Sequence, residues 1–415
     1  PVLADQLEAE GVGERTLAFL RRHRLGAAER DADAAGPALR RAAMGEAGQY
    51  RRAIKRLEAL GGRPLEAFRV AGSSGRVELM ASAATHAVMP KLASLGGRRM
   101  QVDAGLRSHT RRFGRPTGFW LPECAYVPGL EAVLAERGLA YTCLAQRGLE
   151  PDGAALEPIR LPAGSLAFTI DWPTIALVWG EDGYPGAAEY LEYHRLSANG
   201  TRLWAISGEP YDPERAARRA EADARAFLGA VRRRLDRHLK ARGAPGLCVF
   251  AIDTELLGHW WAEGPQWLRA VLAGASAHGI RLRRLSEALA EHPGENRPAR
   301  ESSWGEGKSL VTWDSPAVAD LAWAARRLEL RLLRAVRLRR VGEARLLRAA
   351  RELLAVQSSD WAFMDHRAQA GDYPYRRAVS HAEAMLESLD SERKAPEPEL
   401  RNLAPDLSLA PLREP

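Results

Sequence analysis

The sequence predicts an α/β protein with a mostly parallel sheet, followed by a region that contains only helices. Segments with the composition of strands alternate with helix-forming segments between residues 76 and 279, a pattern typical of parallel sheets. After about residue 315 the apolar residues recur at helical spacing only, through about residue 388. With 415 residues, 46% of them hydrophobic, the chain can form two or three domains, or one large barrel with an added region.

The predicted elements follow in order along the chain. Residues 1–62 form helices that end at a Gly-Gly pair, and further helices cover about 128–138, 212–243 and 264–279. The last strand candidate, GLCVFAID, is a continuous apolar run, which is typical of a fully buried strand. The strand candidates are RVELMAS (76–82), GFWL (118–121), AYTCLAQ (140–146), IRLPAGSLAFTID (159–171), TRLWAIS (201–207) and GLCVFAID (246–253).

The formal net charge is +7, and much of the arginine lies in residues 326–354. We interpret this segment as helix whose basic face is solvated, because five apolar residues alternate with the arginines at amphipathic spacing. These residues are Leu328, Leu330, Leu332, Leu333 and Val336. Nucleic-acid binding is an alternative on charge alone, but we expect no nucleic-acid partner. The Pro-rich residues 391–415 predict a disordered tail.

The cysteines indicate the compartment. Cys124, Cys143 and Cys248 lie in apolar segments without a CxxC pair, which favours the reducing cytoplasm and argues against a zinc cluster. The sequence shows no apolar run of eighteen residues and no secretory leader, so we expect no membrane partner. Because the first residue is Pro1 rather than methionine, we expect that the natural chain starts earlier.

Two acidic residues at the ends of apolar runs carry the functional prediction. Glu123 follows GFWL, and Asp253 ends GLCVFAID. Since the carboxyl ends of parallel strands share one active-site mouth, we expect the two carboxyl groups to converge. Two carboxyl groups are the minimum for glycoside cleavage: one attacks the anomeric carbon, and the other acts as acid and then as base. Trp260 and Trp261 supply flat faces that stack on sugar rings.

Each of these features also has a common structural explanation. A single Glu at a strand end is usually a capping or ion-pairing residue, an Asp-Thr before a helix is usually an N-cap, and paired tryptophans usually belong to a core. Only their joint occurrence is specific.

Four motifs in order resemble signature motifs of glycoside hydrolase family 57. They are RVELMASAATHAVMPKL (76–92), WLPECAY (120–126), DTELLGHWWAEG (253–264) and ESSWGEGK (301–308). Two further segments, 179–195 and 353–366, resemble the family's 1,4-α-glucan branching enzymes, near a flexible active-site loop and in the C-terminal helical domain. The similarity covers roughly residues 1–390.

The resemblance implies a role for each matching residue. Glu123 matches the nucleophile and Asp253 the acid/base. Tyr184 matches the tip of the mobile loop, and Asp360 matches the residue by which the C-terminal helices complete the cleft. The implied substrate-binding residues are His86, Trp120, Tyr184, Arg195, Trp204, His259, Trp260, Trp304, Trp313 and Asp360.

The resemblance also implies an incomplete seven-stranded β/α barrel followed by an all-α C-terminal domain. Residues 1–300 would form the catalytic barrel, with a helical insertion near residues 10–62, and residues 301–390 the helical domain that completes the cleft. The family's first motif, a histidine-rich strand end, is absent, and PVLADQLEAEGV resembles family sequence just after it. We favour a truncated start over true loss of that strand.

The implied activity is that of a retaining 1,4-α-glucan branching enzyme. Glu123 attacks an α-1,4-linked glucan, amylose or a glycogen-like chain, while Asp253 protonates the leaving oxygen. Asp253 then activates the 6-hydroxyl of an acceptor glucan, and an α-1,6 branch forms. Retention requires carboxyl groups about 5–5.5 Å apart, and a closing loop at EDGYPG would exclude water. No metal or organic cofactor is implied.

Other activities remain open on the sequence. One is an α-amylase or 4-α-glucanotransferase of the same family, because the motifs do not define the acceptor. Another is an inactive glucan-binding protein that has lost the first strand. A metal-dependent polysaccharide deacetylase needs an Asp and two histidines at ligand spacing, which we do not find in the sequence. The sequence does not predict the oligomeric state.

Overall fold

The computed structural model describes residues 2–145, 156–390 and 403–414. The strands are β1 (Ala81–Ser82), β2 (Gly118–Trp120), β3 (Tyr141–Leu144), β4 (Ile159–Arg160), β5 (Leu166–Thr169) and β6 (Glu295–Asn296). The α-helices are α1 (Val2–Leu7), α2 (Val12–Phe19), α3 (Gly26–Ala34), α4 (Pro37–Ala59), α5 (Leu65–Ser73), α6 (Leu95–Phe113), α7 (Leu130–Glu136), α8 (Trp172–Trp179), α9 (Pro213–Arg242), α10 (Gly264–Gly274), α11 (Leu285–Glu291), α12 (Ala319–Leu338), α13 (Glu343–Val356), α14 (Ser359–His366) and α15 (Tyr373–Leu389). No helix among these described residues is both long enough and apolar enough to cross a membrane.

The chain divides into two compact units, each built from segments that are distant in sequence. The first unit combines Pro1–Ala9, Phe68–Thr169 and Arg284–Pro415, and the second combines Glu10–Ala67 and Ile170–Arg283. The predicted boundary near residue 300 therefore does not separate two compact units. The reason is that α12, α13 and α15 share one apolar core with α6 and with Ala84, which follows β1.

The first unit contains a six-stranded sheet with the order β1-β2-β3-β5-β4-β6. Strands β1, β2, β3 and β5 are parallel to one another, whereas β4 runs antiparallel to β5 and parallel to β6. Helix α6 connects β1 to β2, and α7 connects β2 to β3, so the predicted alternation of strands and helices is confirmed here. The carboxyl ends of β1 and β2 consequently lie side by side, with Ser82 opposite Trp120.

Helix α6 approaches the end of β1 closely because residue 105 is a glycine. A Cβ atom at Gly105 would collide with the carbonyl oxygen of Ser82. Ser94 is the N-cap of α6, and its hydroxyl accepts a 3.0 Å hydrogen bond from the amide of Gly97. This packing fixes the segment that follows β1, which includes His86.

The basic segment forms two helices with a buried apolar stripe, as predicted. Leu328, Leu332, Leu333 and Val336 of α12 are buried, whereas Leu330 is 54% exposed, because at 3.6 residues per turn it falls on the opposite face. Helix α13 is buried along most of its length and packs against α15.

The prediction of a disordered tail does not hold for residues 403–414. Leu403, Leu407, Leu409 and Leu412 are buried in the same apolar core as α12 and α13. The amide of Ala404 donates a 2.9 Å hydrogen bond to Asp5 of α1. The leucines of this segment bury enough apolar surface to offset its high proline content. Residues 391–402 of the predicted tail lie outside the described residues.

The second unit is mostly helical and has an aromatic core. Helix α9 starts where Asp212 caps the amides of Glu214 and Arg215, and it ends at Gly243 in the left-handed conformation, close to the predicted limits. The core joins α4, α9 and α10, and its largest fully buried members include Tyr190, Trp261 and Trp267.

Three strand predictions are wrong in extent. Of residues 76–82 only Ala81–Ser82 pair as a strand. Residues 201–207 contain isolated bridges at Trp204 and Ala205 instead of a strand, because this segment folds back on its own neighbours. Residues 246–253 form one parallel bridge, between Val249 and Ile170, and are half-buried up to residue 252 rather than fully buried. A run that is apolar on both faces does not show how many neighbours will pair with it.

Candidate active site

The predicted site residues divide between the two compact units, and we call the two sets the first and the second cluster. The first cluster contains His86, Trp120, Glu123, Trp304, Trp313 and Asp360. The second contains Tyr184, Arg195, Trp204, Asp253, His259 and Trp260. Each cluster is a feature of its own unit, and the expected separation of the two carboxyl groups stays a prediction.

Glu123 lies on a strained turn at the end of β2. Residues Pro122–Cys124 form one 3₁₀ turn, in which Glu123 has φ 58° and ψ 19° and Cys124 has φ 48°. Residues other than glycine rarely adopt this left-handed backbone conformation, because it costs about 1–3 kcal/mol per residue. His86 and Lys308 in the same cluster also have positive φ. Such strain persists where surrounding contacts over-determine the backbone, and it is concentrated at functional sites.

The backbone around Glu123 is held by the segment that carries ESSWGEGK. The amide of Trp304 donates a 2.7 Å hydrogen bond to the carbonyl oxygen of Glu123. Tyr126, three residues after Glu123, forms an antiparallel bridge with Ser302, two residues before Trp304. The second and fourth of the four motifs thus lie together in the first unit.

The side chain of Glu123 is 19% exposed, and Ser359 and His86 are among the polar neighbours of its carboxyl group. The hydroxyl of Ser359 donates a 3.3 Å hydrogen bond to its Oε1 atom. The Nδ1 atom of His86 lies 3.6 Å from the same oxygen and 2.9 Å from the Ser359 hydroxyl. Ser359 is the first residue of α14, so the partial positive charge of the helix amino end also lies near the carboxylate.

Aromatic side chains surround this turn to different extents. The rings of Trp120 and Trp304 are in edge contact, with centroids 5.1 Å apart at 71°, and both are half-buried. Trp313 is only 3% exposed and packs on Val88 and Leu310, so it does not present an open face to solvent. Its predicted role as a wall of the sugar site stays a prediction.

Sequence reasoning missed two residues of the first cluster. Ser359 stands beside the predicted Asp360, which is exposed and accepts a 3.3 Å hydrogen bond from Ser358. Lys308 ends the motif ESSWGEGK. Burial lowers the pKa of its ammonium group to about 8, although the charge of Cys124 acts in the opposite direction and raises this pKa. Both residues lie inside segments that were identified, but the contacts of Ser359 are with residues far away in sequence, which the segment itself does not indicate.

Asp253 ends the half-buried segment of the second unit and precedes a 3₁₀ turn, Thr254–Leu256. Its side chain is accessible to water. The protein atoms around it nevertheless remove part of its hydration, which raises the pKa of the carboxyl group, and the negative charge of Glu255 raises it further. A raised pKa is what a general acid needs in order to hold its proton near neutral pH.

An aromatic group in the second unit centres on Tyr193 and includes His259 and Trp260, which follow Asp253 in the sequence. The Tyr193 hydroxyl lies 3.1 Å from Nε2 of His259, and its ring is within 4° of parallel to that of Trp260, with centroids 5.8 Å apart. Trp260 is 54% exposed. Tyr193 was not predicted, although it lies in the segment EYLEYHR that was identified. The group offers flat apolar surface of the kind that contacts sugar rings.

The remaining predicted residues lie in the same unit. The guanidinium of Arg195 lies over the ring of Trp204, 4.0 Å from its centroid. Tyr184 is half-buried against the apolar core, and burial raises the pKa of its hydroxyl. In the described ranges, no group of three or more His, Cys, Asp and Glu residues is arranged to hold a metal ion.

Comparison with known protein families gives two matches. Residues 50–299 match the model of glycosyl hydrolase family 57. Residues 322–404 match the model described as the C-terminal region of 1,4-alpha-glucan branching enzymes.

Individual relatives agree with these matches. A probable 1,4-alpha-glucan branching enzyme of Mycobacterium tuberculosis is 34% identical over 79% of this chain and 66% of its own length. The 1,4-alpha-glucan branching enzyme of Thermococcus kodakarensis is 32% identical over 92% of this chain and 63% of its own length. The chain thus spans about two thirds of the length of the curated relatives that it matches.

Solved structures show the same fold. The crystal structure of a family 57-type branching enzyme from Pyrococcus horikoshii superposes with a TM-score of 0.91, 28% identity and coverage of 99% of this chain and 85% of the other. The Thermococcus kodakarensis structure, in complex with glucose and additives, gives a TM-score of 0.93, 28% identity and coverage of 99% and 86%. The predicted fold class, an incomplete β/α barrel followed by a helical region, is confirmed by these similarities.

Proposed function

Because its residues 50–299 match the family model, the chain belongs to glycosyl hydrolase family 57, and we propose that it is a retaining 1,4-α-glucan branching enzyme. The observation that carries this proposal is the second match, of residues 322–404 to the C-terminal region of branching enzymes. That region includes Ser359, whose hydroxyl reaches the carboxyl group of Glu123. The region that matches branching enzymes thus contributes at least one side chain to the first cluster.

In this proposal Glu123 is the nucleophile. Its carboxyl group accepts a hydrogen bond from Ser359, which favours the carboxylate form, and the limited exposure and the neighbouring His86 restrict its orientation. It attacks the anomeric carbon of an α-1,4-linked glucan and forms a covalent glycosyl-enzyme, while the leaving oxygen takes the proton of Asp253. The raised pKa of Asp253 supports its assignment as that acid.

The second half of the reaction regenerates both groups. The carboxylate of Asp253 removes the proton of an acceptor 6-hydroxyl, whose oxygen attacks the anomeric carbon and displaces Glu123, which leaves an α-1,6 branch. His86, Trp120, Trp304, Trp313 and Asp360 on one unit, and Tyr184, Arg195, Trp204, His259 and Trp260 on the other, are proposed to contact the glucan. The loop at Tyr184–Gly186 is proposed to exclude water from the glycosyl-enzyme.

The finer points belong to the same proposal. We take amylose or a glycogen-like chain as the substrate, since the relatives are named for action on 1,4-α-glucan. We place the enzyme in the cytoplasm, because its three cysteines suit a reducing compartment.

The test incubates the protein with amylose and treats the product with an enzyme that cleaves only α-1,6 links. We expect short chains to appear after debranching and not before, with almost no rise in reducing ends before debranching. Glu123→Gln should abolish the signal. A rise in reducing ends without branch points would indicate an amylase, new linear chain lengths a 4-α-glucanotransferase, and binding without turnover a glucan-binding protein.

A further inference from the structure

The hydroxyl of Ser359 stands between an imidazole and the carboxyl group of Glu123. It lies 2.9 Å from Nδ1 of His86 and 3.3 Å from Oε1 of Glu123. We propose that Ser359 is a positioning residue that links His86 to Glu123 and fixes the carboxylate for attack. This inference rests on the proposed function only in that it takes Glu123 as the nucleophile.

The chemistry of the three groups fixes the direction of the hydrogen bonds. A carboxylate only accepts, so the single proton of the Ser359 hydroxyl is donated to Glu123. The serine oxygen must then accept from His86, which requires that Nδ1 of His86 carries a proton. One oxygen of the carboxylate is thereby held in place.

A buried polar chain holds both neighbours of Glu123. The side chain of Gln357, two residues before Ser359, accepts a 2.9 Å hydrogen bond from Gln101 and donates a 3.0 Å bond to Glu329. Gln101 also donates a 3.0 Å bond to the hydroxyl of Thr85, the residue before His86. Gln101, Gln357 and Glu329 are all buried. The segments of His86 and Ser359 are therefore anchored to one network.

Backbone contacts complete the arrangement. The amide of Ser359 donates a 3.3 Å hydrogen bond to the carbonyl oxygen of His86, and Ala87 forms an antiparallel bridge with Ser358. Backbone hydrogen bonds alone thus fix the start of α14 beside the segment that follows β1. In this arrangement the C-terminal helices contribute to the chemistry by orienting the nucleophile, in addition to any contact with the glucan.

The first test compares Ser359→Ala with wild type on amylose. Loss of one hydrogen bond to a charged nucleophile should lower kcat by about 10- to 100-fold while KM changes by less than about threefold. Ser388→Ala is the matched control, because the Ser388 hydroxyl is in the same unit and donates only to the Ala384 carbonyl of its own helix, at 2.7 Å. An unchanged kcat in Ser359→Ala would overturn the proposal.

A second readout does not depend on turnover. In protein labelled with ¹⁵N-histidine, the His86 signals are identified by their loss in His86→Gln. We expect Nδ1 of His86 to carry a proton and its chemical shift to move in Ser359→Ala but not in Ser388→Ala. An unprotonated Nδ1 in the wild type would overturn the proposal, since Ser359 would then donate to His86. If wild type shows the expected spectra but does not process glucan, the proposed function fails and the positioning arrangement stands.

Discussion

The backbone amide of Trp304 lies 2.7 Å from the carbonyl oxygen of Glu123 and donates a hydrogen bond to it. This contact holds a residue whose own backbone is left-handed, at φ 58°. The segment after residue 301 therefore fixes the position of Glu123 from outside the strand that presents it. The strain is maintained by tertiary contacts, so changes in that segment should affect the turn.

The first prediction concerns Gly305, the residue after Trp304. A Cβ atom at this position would lie 2.6 Å from the Trp313 ring and 2.8 Å from the Ser309 carbonyl oxygen. We expect Gly305→Ala to lower the free energy of unfolding by about 1–3 kcal/mol through overpacking, and to lower kcat because the Trp304 amide shifts. Urea unfolding and branching assays measure the two effects.

The control is Gly48→Ala, because the nearest group to a Cβ atom at Gly48 is the flexible Arg52 guanidinium at 3.4 Å. If Gly305→Ala were as stable as wild type, the loop around Gly305 would be loosely packed and the prediction would be wrong.

The second prediction is the effect of Glu255 on the pH profile. Its charge helps to raise the pKa of Asp253, which must be protonated to act as an acid. Removing that charge in Glu255→Gln should lower the pKa, so the alkaline limb of kcat/KM should move to lower pH, by less than about one unit because both side chains are exposed. The shift should shrink at high salt. Glu221→Gln, an exposed change in α9, is the control; a limb that stays in place or moves upward would contradict the role of Asp253.

The third prediction concerns Glu329, which is fully buried between Ser94 and Gln357. Burial raises the pKa of its carboxyl group above the ordinary 4.5. The folded protein thus keeps a proton that the unfolded chain releases, and stability falls as the pH rises from about 4.5 through the raised value.

Glu329→Gln removes that titration. We expect the variant to gain stability relative to wild type as the pH is raised from 4 to 8, measured by urea unfolding at each pH. Glu383→Gln, an exposed change in α15, should follow wild type at every pH. Parallel curves for Glu329→Gln and wild type would mean that Glu329 ionises normally in the fold.

The fourth prediction concerns Asp5, which joins the two ends of the described chain. Its buried carboxylate pairs with Arg112 and Arg111 of α6, at 2.5 and 3.0 Å, and accepts from the amide of Ala404. Asp5→Asn removes the buried carboxylate charge, while Arg112 keeps Glu8 and Arg111 keeps Asp406 as partners, so the change should cost about 1.5–3 kcal/mol of unfolding free energy. Urea unfolding measures this loss, with the exposed change Asp33→Asn as control. If the unfolding free energy fell by less than about 1 kcal/mol, the leucines of residues 403–414, and not Asp5, would hold this segment in place.

Local pattern predicted much of the fold. The helix at 212–243 carries its own start and stop signals in Asp212 and Gly243, and the structure uses both. The strands at 141–144 and 166–169 are fully buried, and their residue types predict them as strands. The catalytic candidate Glu123 was identified because a carboxylate at the end of an apolar run is unusual.

Features that depend on distant partners were not predictable. Residues 246–253 form a single bridge, and only the tertiary structure determines how many neighbours such a segment finds. Residues 403–414 are packed because their leucines bury against an apolar surface of α12 and α13. Ser359 is an ordinary serine in sequence, and it gains its role only because α14 starts beside His86.

The most direct test of the central claim is identification of the residue that forms the glycosyl-enzyme. Asp253→Asn should accumulate this intermediate with α-maltotriosyl fluoride, because fluoride leaves without an acid and the base for the second step is missing. Peptide mass spectrometry should find one maltotriosyl group on Glu123, and none in Asp253→Asn combined with Glu123→Gln. A label on another carboxylate, or inverted product without a label, would contradict the account.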